Sequence, residues 1–130
     1  MRTLRPGSHA AILVRLAIVT LTIATGVIHL TLGGPLFTLN GAGYLVAAGA
    51  MVVPIPLARR LRWLIRLGLV GYALAAIVGW YLMGPRYDVA YVAKAIEVAL
   101  IALLLLEIRS FDSDPVRRAR RTVAALVRAG

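Results

Sequence analysis

The chain contains no cysteine. That single absence excludes disulfides, thiolate metal sites and thiol catalysis together. Acidic side chains are also scarce, with Asp and Glu numbering 5 against 15 Lys and Arg, and there are 2 histidines. The few serines, Ser8, Ser110 and Ser113, all sit at the edges of apolar runs rather than in a nucleophile-like setting. No glycine-rich phosphate loop follows a strand. No acid/base or nucleophile constellation beyond one Glu and one His can be assembled. The expectation is therefore no enzyme, no catalytic residue and no cofactor.

Polar residues of every kind are in short supply. The 130 residues are 61% hydrophobic and only 15% charged, and the mean hydropathy is positive. Long apolar runs in such a composition belong to membrane proteins. A hydrocarbon core about 30 Å thick needs roughly 20 predominantly apolar residues per helix. Four segments meet that need, at about residues 11–32, 35–53, 61–83 and 89–108. Connections of a few residues make neighbouring helices antiparallel. The predicted fold is an all-α membrane protein: residues 1–10 form an N-terminal segment, residues 11–110 a four-helix transmembrane bundle, and residues 111–130 a basic amphipathic tail. The first run exceeds a typical signal-peptide h-region and ends in "GVIHLTLGGP", without an A-x-A-like site, so it reads as a retained helix.

The net charge of +10 matters less than where it sits. Arg2, Arg5 and Arg15 precede or open the first span; Arg59, Arg60, Arg62 and Arg66 lie between the second and third. Arg109, Arg117, Arg118, Arg120, Arg121 and Arg128 follow the fourth, leaving Arg86 and Lys94 towards the other side. The positive-inside bias puts both termini in the cytoplasm and the chain in a prokaryotic cytoplasmic (inner) membrane. Nucleic acid is not the expected partner, because these arginines border hydrocarbon. After Pro115, Val116, Ala119, Val123, Leu126 and Val127 share one face, and Arg117, Arg118, Arg121 and Arg128 another. A basic amphipathic helix beside a span is expected to lie on the anionic lipids of the cytoplasmic leaflet.

Two kinds of pattern lie inside the spans. Gly43 and Ala47 on the second, and Gly71, Ala75 and Gly79 on the third, form small-residue stripes that let helix backbones approach in lipid. Thr22, Thr25 and His29 share a face of the first span, at i, i+3 and i+7. Asn40 and Tyr44 share a face of the second. The fourth, "YVAKAIEVALIALLLLEI", holds Lys94 and Glu97 one turn apart in its outer half. Charges inside a span face the bundle interior and find partners. His29, Asn40, Tyr44, Lys94 and Glu97 thus define a polar cluster at one level. It is either an intrahelical ion pair supported by Asn40 or Tyr44, or a pocket open to the outside. The inner half shows no comparable set. His29 is the one histidine in a span, so two histidines cannot ligate haem within one chain, and His29, Asn40 and Glu97 fall short of a metal motif.

"GVIHLTLG", "LFTLNGAGYL" and the polar start of the fourth span together resemble small prokaryotic four-helix membrane proteins of uncharacterised families. The resemblance covers roughly residues 11–108 and implies the span count. Those families have no agreed activity, so it transfers no residue role. Two functions follow from the residues themselves. One is a non-enzymatic accessory or assembly subunit, held through its small-residue stripes in a homo-oligomer or larger membrane complex. The other is a small oligomeric transporter, channel or ligand sensor that uses the outer polar cluster.

Overall fold

The computed structural model describes residues 8–110 and 114–130; Arg2, Arg5 and Ser113 lie outside the described residues. Five α-helices and no strand occur among those described: α1 (His9–Thr31), α2 (Pro35–Val52), α3 (Pro56–Met83), α4 (Asp88–Ser110) and α5 (Asp114–Ala129). The first four are long and apolar enough to cross a membrane, consistent with a multi-pass membrane protein.

Local chemistry sets each boundary. The Ser8 hydroxyl caps α1 by accepting from the Ala11 N–H at 3.3 Å. Gly33 and Gly34 turn the chain at φ 75° and 89°, a region that side-chain-bearing residues avoid. Pro35 then opens α2 at a position where its missing N–H is harmless. The same rule extends α3. Pro56 begins this helix rather than ending a loop, so α3 starts five residues before residue 61 and runs for 28 residues. At 1.5 Å per residue it is about 42 Å long, which carries Arg59, Arg60 and Arg62 beyond a hydrocarbon thickness. The α3–α4 turn is held by Trp80, whose indole N–H donates to the Pro85 carbonyl at 2.7 Å. The Arg86 guanidinium stacks 4.2 Å above the same ring.

In cross-section, α1 packs on α2 and α4, and α3 packs on the same two helices from the opposite side. The α1–α2 seam is the tightest. A Cβ on Gly41 would lie 2.7 Å from the Gly26 carbonyl oxygen, so these backbones touch where Gly41 has no room for a side chain and Gly26 has little. Side chains that face the axis recur at alternating three- and four-residue spacings. They are Ile18, Thr22, Thr25 and His29 on α1, Gly41, Tyr44, Ala48 and Met51 on α2, and Ala90, Ala93, Glu97, Leu100, Leu104 and Glu107 on α4. Ile18, Tyr44, Met51, Leu69, Leu100 and Leu104 form the apolar core. The outside is richer in apolar surface than the inside. Leu36, Leu39, Val46 and Leu82 are largely exposed while Glu97 and Glu107 are buried, the distribution expected of a surface solvated by lipid. The α5 helix lies against α3 and touches α4.

Candidate functional site

The axis-facing stripe of α4 brings Glu97 into the centre of the bundle with no exposure at all. A group that hydrogen-bonds to it has to be a donor, because an ionised carboxylate only accepts. Lys94, one turn earlier, donates from Nζ to Oε2 at 2.7 Å. The Tyr44 hydroxyl donates to Oε1 at 3.1 Å, and the Thr25 hydroxyl to the same oxygen at 3.3 Å. Three helices therefore converge on one carboxylate.

His29 adds a fourth polar group, and its tautomer follows from geometry. Nδ1 lies 2.7 Å from the Thr25 carbonyl oxygen, which can only accept, so Nδ1 carries the hydrogen. Nε2 is left facing Glu97 Oε1 at 3.5 Å. A lone pair directed at a carboxylate is repulsive, so attraction across this gap requires one proton held by either partner. The Tyr44 ring fixes the imidazole from the side, with centroids 5.6 Å apart. Tyr44 is in turn held edge-on by Tyr72 at 4.9 Å.

Above this network, at the end of the bundle bearing the α1–α2 and α3–α4 turns, a cleft of about 620 Å³ opens between α2 and α3. Its walls are mainly apolar, with Leu36, Phe37 and Leu39 on one side and Ala75, Gly79 and Trp80 on the other. Lys94 and His29 form its polar floor, and Asn40 and Tyr72 stand on its walls. The Tyr72 hydroxyl donates to the Asn40 backbone carbonyl at 2.9 Å. A volume of this size suits a drug-sized or lipid-like molecule.

Of the five residues that the sequence groups together, His29, Tyr44, Lys94 and Glu97 meet in one network. Asn40 stands on the cleft wall instead. Thr25, placed on the His29 face by its spacing, proves to be the additional donor. The small-residue stripes divide differently. Gly43 lies against the Tyr72 hydroxyl, so that a Cβ there would clash, whereas Gly71 and Gly79 have nothing within 4 Å of an added Cβ. Ala75 and Gly79 line the cleft rather than a helix contact within the chain.

A second buried network was missed by sequence reasoning. Glu107 is buried near the opposite end, and Arg66 Nε approaches its Oε1 at 3.0 Å. Arg15 Nε lies 3.7 Å from Oε2 with its side chain half exposed. The expectation that the inner half holds no comparable set is corrected here. Glu107 lies close to the helix end in sequence, yet the 3–4 spacing from Glu97 through Leu100 and Leu104 turns it inward. That spacing was the signal available. Arg117, Arg118, Arg121 and Arg128 all lie on α5. Among the described residues, no group of three or more His, Asp or Glu side chains could hold a metal ion.

No family model, curated protein or solved structure matches the chain.

Proposed function

We propose that this is a multi-pass protein of the prokaryotic cytoplasmic membrane that binds a lipophilic small molecule in its outer cleft, as a carrier or sensor rather than an enzyme. The observation that supports this reading is the placement of Lys94 and His29 on the cleft floor with Glu97 directly behind them. An ion pair that only fixed helix rotation would need no cavity above it. Apolar walls with a few convergent polar groups are the general form of a small-molecule site. The test uses Gly79, where an added side chain meets open space. In native mass spectrometry from mild detergent, the wild type should retain a small amphiphile that Gly79→Trp lacks, at unchanged thermal stability. Identical spectra without any bound molecule would remove this reading.

A specific observation favours a second reading, that of an assembly subunit. Gly68 and Gly71 continue the Gly79 stripe along α3, and an added Cβ at either would meet nothing within 4 Å. A partner helix could close on that face. It would compete with a cleft ligand for Ala75 and Gly79, so the Gly79→Trp variant would then lose its complex rather than its amphiphile.

The proposed orientation puts both termini and the arginine-rich end in the cytoplasm and the cleft outside, with the basic face of α5 on anionic lipid. Because the chain has no cysteine, each introduced cysteine is a unique reporter. Cysteines at Thr31 and Arg86 should react with an impermeant maleimide in intact cells, and those at Arg59 and Gly130 only after permeabilisation. Val123→Cys on the α5 apolar face should stay protected in permeabilised cells while Arg121→Cys reacts. The reverse pattern at Thr31 and Gly130 would invert the topology.

A further inference from the structure

We infer that the cleft takes an amphiphile with a carboxylate head, and that binding it loads one proton onto the His29–Glu97 pair. The inference rests on the ligand-binding reading above and adds the class of ligand and its coupling to protons.

The head group follows from what the cleft presents. Among the described residues its polar lining includes His29, Asn40, Tyr72 and Lys94, and no carboxylate. Glu97 is completely buried behind Lys94. Lys94 carries three N–H donors. One goes to Glu97 Oε2 at 2.7 Å and one, at 3.4 Å, to the Ala76 carbonyl. The third has no acceptor among the described residues, and the Lys94 side chain is 11% exposed at the floor of the cleft. A cation with a spare donor beneath apolar walls complements an anionic head on an apolar body. A cationic ligand would meet the ammonium first, and a neutral one would gain a hydrogen bond from the spare donor without the added attraction of charge.

Proton coupling follows from charge balance. Lys94 and Glu97 together are neutral, so an incoming carboxylate would leave one uncompensated negative charge in a region of low dielectric. Such a charge is strongly disfavoured unless it is paired or neutralised. The groups facing His29 are Tyr44 from α2 and Glu97 and Lys94 from α4; α3 contributes Tyr72 behind Tyr44 and no charged side chain in the cleft. Nδ1 already holds its hydrogen against the Thr25 carbonyl. Nε2, 3.5 Å from Glu97 Oε1, is where an additional proton is attracted rather than repelled. Uptake of one proton from solvent then leaves Lys94 and His29 positive, Glu97 and the ligand negative, and the site neutral. The ammonium can turn towards the ligand because protonated His29 takes over part of its hold on Glu97.

The experiment uses the full chain in phosphatidylcholine nanodiscs, with decanoic acid and 1-decanol as probes and empty nanodiscs as the blank. Calorimetric titrations near neutral pH in two buffers of different ionisation enthalpy count the protons. Decanoate should bind with uptake of about one proton per site, by the charge balance above. It should bind roughly tenfold more tightly than decanol, as expected for one hydrogen bond to a charged group. His29→Gln should lose the proton uptake, and Lys94→Met should lose the preference for the acid over the alcohol. Equal binding of acid and alcohol without proton uptake would overturn this inference while leaving the lipophilic cleft intact. If neither probe binds and Gly79→Trp changes nothing, the ligand-binding reading fails as well. Proton uptake that persists unchanged in His29→Gln would also overturn the inference, because the proton would then belong elsewhere.

Discussion

Lys94→Met should destabilise the bundle by about 3–5 kcal/mol, the range for removing one member of a buried ion pair. The physical cause is Glu97, which has no solvent exposure and would lose its 2.7 Å ammonium partner. Glu97→Gln should fall near the lower end, about 3 kcal/mol, because the stranded ammonium can turn into the cleft while the amide oxygen still accepts from Tyr44 and Thr25. The double variants separate charge from hydrogen bonding. Lys94→Met with Glu97→Gln should recover most of the loss, since the acceptor remains for both hydroxyls. Lys94→Met with Glu97→Leu should recover less, because each hydroxyl left without an acceptor costs about 1–3 kcal/mol. Unfolding midpoints in detergent across these four variants measure the cycle. If Lys94→Met proves as stable as the wild type, Glu97 is not held by Lys94 as a buried anion.

The network at the other end should respond more unevenly. Glu107→Leu removes the carboxylate that Arg66 meets at 3.0 Å, with the Arg66 side chain only 8% exposed. A loss of about 3 kcal/mol is expected, again at the lower end for buried pairs because the helix end is near water. Arg15→Met should cost less than about 1 kcal/mol, as exposed pairs do, since its side chain is 51% exposed and 3.7 Å away. Arg66→Met combined with Glu107→Leu should return most of the Glu107→Leu loss. Unfolding in mixed detergent micelles, analysed as a double-mutant cycle, gives the coupling directly. Equal effects from Arg15→Met and Glu107→Leu would show that burial does not rank these contacts.

The sequence was informative wherever a feature is governed by period and length. The apolar runs around α1, α2 and α4 are bounded by glycine, proline or charge, so these elements could be located to within a few residues. The pairing of Lys94 with Glu97 follows from one helical turn, and so does the common face of Thr25 and His29. Features set by the rotation of one helix against another were not legible. The closest backbone approach runs through Gly26 and Gly41, whereas Gly43 and the Gly71 stripe looked equally suitable, because a chain rich in small residues offers many such stripes. Glu107 reads as interfacial by position, and only the alternating spacing from Ala90 onwards reveals that it points inward. Pro56 reads as a breaker although the first turn of a helix accommodates it. The cleft itself had no sequence signal. It is lined from both α2 and α3, so it is a property of two helices rather than of either.

The convergence of three helices on Glu97 also has a consequence for biosynthesis. Thr25 and Tyr44 belong to α1 and α2, which leave the ribosome before α4, and the Gly26–Gly41 contact lies between those two helices. Both donors therefore precede Glu97 in synthesis. Glu97 does not travel alone, because Lys94 is on the same helix and its Nζ lies 2.7 Å from Oε2. The pair lies within one helical turn, so it forms with α4 itself and needs neither Thr25 nor Tyr44. A partner on another helix could not do that.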